Sequence, residues 1–193
     1  MNLAAFLNDK IARYADRLAL RYNFNDITYA QLGEKINNLA ARLKKAGIKK
    51  GDIVHVYLPN SPEGLISIFA IQKIGAIAGP VNTWFKSEEL LYLLRDSGAK
   101  ALIIDSLYCQ AFEKIEPDLP DLKLVIEHGE NPQSSRPSLS EWIEDGPNER
   151  VSVPITGSDP AFIFYTSGTT GDPKGVLLSH QGVIADATQV NER

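Results

Sequence analysis

Apolar positions along the chain follow two periods, and each change of period marks an element. Leu3, Phe6, Leu7 and Ile11 share one face of a helix predicted over residues 3–14, with Asn2 as its cap. Leu18 to Tyr22 reads as a strand, and Ile27-Thr28 as the end of its hairpin partner. Thr28 and Gln31 form a capping-box pair, in which each side chain can satisfy the other's backbone N–H. They open a second helix whose apolar residues Leu32, Ile36, Leu39, Ala40 and Leu43 recur at helical spacing, and Gly47 stops it. Ile53 to Leu58 is the next strand. Ser61-Pro62-Glu63 then supplies a cap, a proline at the first turn and an acid at the positive helix end, before a helix over residues 65–74. Ile77 to Val81 is a short strand, Ser87 with Glu89 caps a helix to Asp96, and Ala101 to Ile104 and Leu122 to Ile126 are further strands. Strand and helix alternate as in parallel βαβ units, so the expected class is α/β, a layered α/β/α arrangement on a mostly parallel sheet.

The remaining segments are less regular. Residues 131–137 and 147–158 read as polar surface loops, with one or two helical turns over 139–143 between them. Ser179 can cap a last helix over 183–190. No internal repeat or low-complexity tract occurs.

Composition narrows the function. The 193 residues are 44% hydrophobic and 23% charged, ordinary for a globular chain able to bury a real core. A net charge of −4 without a basic face argues against nucleic acid as a partner. The best membrane candidate, 65–81, is broken by Gln72, Lys73, Gly75 and Gly79 and ended by Pro80, so no transmembrane segment is expected. Asn8, Asp9 and Lys10 interrupt any apolar leader. The single cysteine, Cys109, can form no internal disulfide and is expected in packing or at the surface, in a cytoplasmic protein. His55, inside a strand, is expected to be a satisfied core or boundary residue, and Trp84 and Phe85 to pack against the following helix.

The chemistry concentrates at residues 165–175, which read YTSGTTGDPKG. The apolar run Ala161-Phe162-Ile163-Phe164-Tyr165 enters this loop and Gly175-Val176-Leu177-Leu178 leaves it, which predicts an antiparallel hairpin. Glycine lets backbone approach a phosphate closely, successive N–H groups can form an anion-binding concavity, and hydroxyls and a lysine add donors and charge. Gly168 and Gly171 stand three apart, with Lys174 three further on. The Walker loop needs four residues between its glycines and lysine directly after the second, so this loop is not of that type. No G-x-G-x-x-G is present, so a dinucleotide fingerprint is unsupported. No histidine, cysteine and carboxylate set has metal-ligand spacing, and Ser167 lacks the G-x-S-x-G setting of a hydrolase elbow.

The eleven residues resemble the signature phosphate loop of the adenylate-forming superfamily, which holds acyl-CoA and aryl-CoA synthetases, luciferases and peptide-synthetase adenylation domains. Thr28-Tyr29-Ala30-Gln31-Leu32, Leu58-Pro59-Asn60-Ser61-Pro62-Glu63 and Ile74 to Asn82 are similar to that family's amino-terminal pattern, in the same order. The resemblance implies that the chain is the amino-terminal portion of a longer large domain whose partner substrates are ATP, a carboxylic acid and coenzyme A. It implies that Thr166, Ser167, Gly168, Thr169, Thr170, Gly171 and Lys174 bind the ATP phosphates, that Lys174 serves catalysis, and that the Thr166 hydroxyl ligates Mg²⁺. It also puts His180 near the active-site face, where it would touch substrate or shape its pocket.

Two other readings stand beside a carboxylate–CoA ligase. A peptide-synthetase adenylation domain shares the chemistry but passes the acyl group to a carrier-protein thiol. Such domains tend to end the 78–82 strand as Tyr-Val-Pro-Ile-Asp, where this chain has Ala-Gly-Pro-Val-Asn, which favours coenzyme A. A non-catalytic module is the third reading, in which exposed apolar surface would bring two copies together as a homodimer. The ligase reading predicts that residues 1–193 alone give no ATP–pyrophosphate exchange with a panel of carboxylic acids; clear turnover by this chain alone would overturn it.

Overall fold

The computed structural model describes residues 1–129, 135–166 and 173–191. Helix α1 (Leu3–Arg13) is followed by the hairpin β1 (Leu18–Tyr22) and β2 (Asn25–Thr28). Then come α2 (Tyr29–Lys45), β3 (Ile53–Tyr57), α3 (Pro62–Lys73), β4 (Ile77–Pro80), α4 (Ser87–Asp96), β5 (Ala101–Asp105), α5 (Ser106–Glu113), β6 (Leu124–His128) and α6 (Leu139–Glu144). Strands β7 (Pro160–Thr166) and β8 (Lys174–Ser179) precede α7 (His180–Asn191). The larger sheet runs β6-β5-β3-β4-β7-β8; all neighbours are parallel except β7 and β8, which are antiparallel.

Both faces of that sheet are covered, because successive strand side chains point to opposite sides. Val54 and Val56 of β3 and Ala101 and Ile103 of β5 enter one core with Leu32, Ile36, Leu39 and Leu43 of α2 and Ile66, Ala70 and Ile71 of α3. Tyr57, Leu102 and Ile104 enter the other with Leu90, Leu93 and Leu94 of α4 and Phe112 of α5. Each large apolar side chain so buried contributes roughly 1.5–3 kcal/mol. The expected α/β/α layering with an antiparallel hairpin is present. No helix among the described residues is long and apolar enough to cross a membrane.

Local signals set most helix starts as expected. Thr28 Oγ1 accepts from Gln31 N–H at 3.3 Å while Gln31 Oε1 accepts from Thr28 N–H at 2.9 Å. Ser61 Oγ accepts from Gly64 N–H at 3.1 Å, and Ser179 Oγ from Gly182 N–H at 3.2 Å.

Other local expectations differ from the structure. Lys86, not Ser87, caps α4: its N–H donates to Glu89 Oε2 at 2.8 Å, and Ser87 Oγ instead donates to the Ala111 carbonyl at 3.0 Å, tying α4 to α5. Helix α5 has no counterpart in the sequence reading. Its start is set by Asp105, which ends β5 and accepts from Leu107 N–H at 2.9 Å. This helix buries Cys109, whose thiol is pushed up to about 11, first by burial and then by the charge of Glu127. Phe85 packs on the α4 core as expected, but Trp84 is 88% exposed, because the turn closed by Phe85 N–H on the Asn82 carbonyl points it outward.

His55 is the polar exception inside the sheet. Its Nδ1 lies 2.9 Å from the Gly79 carbonyl and its Nε2 2.9 Å from Ser97 Oγ. A carbonyl only accepts, so Nδ1 carries the proton and Nε2 accepts from the serine hydroxyl. Burial lowers the imidazole pKa from 6.5 to about 4, against the opposing pull of the Gly79 carbonyl. Gly79 leaves room for the ring, since a Cβ there would stand 2.2 Å from His55 Nδ1. Gly79→Ala is therefore expected to destabilise the fold by about 2–3 kcal/mol, read by urea unfolding. The His55 pKa sets a pH dependence as well. Above pH 6.5 the ring is neutral in both states and contributes no slope; below it the unfolded chain takes up a proton that the folded chain refuses until pH falls to about 4. Stability should fall across that window by roughly 3 kcal/mol in total, and His55→Gln should abolish that component of the slope.

Candidate phosphate-binding site

Strand β7 runs from Pro160 at its amino end to Thr166 at its carboxyl end, and β8 returns beside it. The register pairs Pro160 with Ser179 at one end and Tyr165 with Gly175 and Thr166 with Lys174 at the other. The fold thus pairs Thr166 with Lys174 across the two strands, both residues exposed, at the hairpin mouth. Ser167, Gly168, Thr169, Thr170 and Gly171 lie outside the described residues. The mouth sits at the carboxyl end of a strand in a parallel sheet, the edge where open α/β sheets receive ligands. A hydroxyl residue paired with a lysine there offers donors and positive charge to a phosphate chain. The hydroxyl oxygen is also a hard donor suited to Mg²⁺, which takes few protein ligands and keeps its waters.

The base of the mouth is fixed from the α4 side. The Tyr165 hydroxyl donates to Asp96 Oδ2 at 2.6 Å, and the Tyr92 hydroxyl donates to the Pro173 carbonyl at 3.1 Å. Burial first, and then the Asp96 carboxylate, raise the Tyr165 phenol well above its ordinary pKa, so it remains a donor. Its ring meets the His55 ring at a centroid distance of 6.4 Å. Opposite it, Gly175 has no side chain to spare: a Cβ there would lie 3.2 Å from Tyr165 Cζ. Tyr92 and Asp96 are not among the site residues that the sequence indicates. Their signal was available as an aromatic and an acid four apart on a predicted helix, but only the sheet order puts that helix beside the hairpin.

His180 lies at the other end of β8. It is fully buried, its Nδ1 accepts from Leu3 N–H at 3.3 Å, and its own N–H donates to the Asp159 carbonyl at 3.1 Å. Burial pushes its imidazole below the usual range, with Asp159 opposing. Its Nε2 is buried without a hydrogen-bond partner among the described residues. Six residues of extended strand, about 20 Å, separate it from Lys174, so the hairpin does not bring the two together. A cleft of about 620 Å³ between α2 and residues 145–152 is also remote from the mouth. Its cations Arg42, Lys44, Lys45 and Arg150 are interspersed with Asp145 and Glu149, which does not suit a polyphosphate.

The family profile described as AMP-binding enzyme matches residues 7–193. A medium/long-chain-fatty-acid–CoA/3-oxocholest-4-en-26-oate–CoA ligase of Mycobacterium marinum is 36% identical over 191 residues, which is 95% of this chain and 35% of that protein. A plipastatin synthase of Bacillus subtilis is 30% identical over 184 residues, again 95% of this chain but 6% of that protein. Among solved structures, an anthranilate CoA ligase in complex with anthranoyl-AMP superposes with a TM-score of 0.89 at 32% identity, covering 94% of this chain and 35% of that one. The chain therefore spans well under half the length of these relatives.

Proposed function

This chain belongs to the AMP-binding enzyme family, and from that premise we propose that the protein carrying it is an ATP-dependent carboxylate–CoA ligase. The observation that carries the reading is the opposition of Thr166 and Lys174 at the carboxyl end of β7, with the two ends of the YTSGTTGDPKG segment held together by the hairpin register. In the proposed reaction a carboxylate oxygen bonds to the α-phosphorus of ATP, the bond to the bridging oxygen of the β-phosphate breaks, and pyrophosphate leaves. The acyl carbon of the resulting acyl-adenylate is then attacked by the thiol of coenzyme A, the thiol proton is lost, and AMP leaves.

Charge accumulates on the departing pyrophosphate, and a cation already fixed beside it lowers that barrier without reorganising. Lys174 has that role. Thr166, Ser167, Gly168, Thr169, Thr170 and Gly171 hold the phosphates through hydroxyl and backbone N–H donors. Thr166 also offers its hydroxyl oxygen to Mg²⁺, which when bound neutralises phosphate charge. His180 acts from behind, shaping the site through the strand it anchors.

The fatty-acid–CoA and anthranilate CoA ligases named above support a carboxylic acid substrate and a coenzyme A acceptor. The likeness to plipastatin synthase supports a second reading, with a carrier-protein thiol as acceptor; the Ala-Gly-Pro-Val-Asn segment at 78–82 favours coenzyme A. The cytoplasm is the proposed compartment, in keeping with a lone, unpaired cysteine. Val176, Leu177 and Leu178 of β8 are exposed, and the rest of such a ligase, or a second copy of the chain, would cover them.

ATP–pyrophosphate exchange with a panel of carboxylic acids, run on the full-length protein with coenzyme A present and withheld, tests the reading. Exchange that persists without coenzyme A and thioester that forms only with it are expected; no exchange with any acid would overturn the ligase assignment. Lys174→Ala should slow exchange about 100-fold with unfolding unchanged, and an unaltered rate would remove Lys174 from the mechanism.

A further inference from the structure

The sheet alone supports the hairpin mouth poorly. Strand β7 pairs with β4 at Phe162 and Ala78, while its pairing with β8 continues to Thr166 and Lys174. Past Phe162 the register pairs β7 with β8 alone, and β8 stands at the sheet edge. An isolated two-stranded ribbon is marginal in water. Its tip would wander, and a phosphate site depends on the spacing of the two residues at that tip.

Helix α4 supplies the missing support. Tyr92 and Asp96 are four residues apart and so share a face of the helix. Tyr92 reaches Pro173, the residue before Lys174, and Asp96 reaches Tyr165, the residue before Thr166. Both legs of the ribbon are thereby fastened to one rigid body. That body is well anchored: Leu90, Leu93 and Leu94 are buried, Ser87 bonds α5, and Ser97 at its carboxyl end bonds His55 of β3.

We propose that Tyr92, Asp96 and the Tyr165 hydroxyl are positioning residues for ATP, setting Thr166 and Lys174 at the separation the polyphosphate requires. The inference rests on the phosphate-binding reading of the hairpin. Hydrogen bonds this close to the surface contribute little to global stability, so their loss should appear in nucleotide binding rather than in unfolding.

The test is a double-mutant cycle in the full-length protein, with Asp96→Ala, Tyr165→Phe and the pair combined. Two quantities are read, the MgATP dissociation constant by calorimetry and the separate KM values for ATP and carboxylate in exchange. Each single change should weaken MgATP binding about fivefold, and the pair clearly less than the two effects combined, because both remove the bond between Asp96 and Tyr165. Asp96→Asn, which keeps an acceptor, should restore most of the affinity. Tyr92→Phe, acting on the other leg, should add to either change. Carboxylate KM and melting temperature should not move. Unchanged MgATP affinity, full additivity of Asp96→Ala and Tyr165→Phe, or a lowered melting temperature with both KM values intact would each overturn the proposal. A wild-type protein that binds MgATP but gives no exchange overturns the ligase assignment alone, since the affinity series still judges this inference; one that binds no MgATP overturns both.

Discussion

Two-sided burial of the parallel sheet is the constraint from which the rest of the structure follows. In β3 and β5 every residue must satisfy a packing partner above or below, with Val54, Val56, Ala101 and Ile103 on one face and Tyr57, Leu102 and Ile104 on the other. Parallel strands cannot be joined by tight turns, so each crossover carries a helix back over a face. Helices α2 and α3 take one side and α4 and α5 the other. The carboxyl ends of the strands are then left at one edge, open to ligand, and β7 delivers Thr166 there.

A polar residue inside such a sheet must be matched completely. His55 is matched by one acceptor and one donor, the Gly79 carbonyl and the Ser97 hydroxyl. Those partners belong to β4 and to the end of α4, so the ring joins two strands and a helix at one point. The cost of charging it there is large, which keeps it neutral and keeps the junction intact at ordinary pH. Its contact with Tyr165 extends the same junction to the hairpin.

The hairpin departs from the parallel plan. Strand β8 turns back at the sheet edge, and its apolar side chains remain largely exposed. Such a strand is a liability in isolation and an asset where further structure packs on it. The relatives compared above extend well beyond the share that this chain spans. Within the described residues, the firm side of the mouth is the α4 side.

Much of this was written in the sequence because it depends on neighbours in the chain. The Thr28–Gln31 box, the Ser61 cap, the periods of α2 and β3 and the two apolar runs of the β7–β8 hairpin all act over a few residues, and each stands where its local pattern puts it. The α4 cap lies one residue before the position its local pattern indicates, because Ser87 bonds the Ala111 carbonyl of α5 instead. Helix α5 is hidden in the local pattern because its start signal, Asp105, also ends a strand. Trp84 could not be placed from its apolarity, because a turn decides its direction. His180 was readable as a neighbour of the hairpin, but its burial against Leu3 joins residues 177 positions apart. The chemistry of the loop ends, a hydroxyl and a lysine, was fixed by the chain alone. Their opposition, and the grip of Tyr92 and Asp96 beneath them, came only from strand order and helix packing, since hydrogen bonds between distant segments leave no local trace.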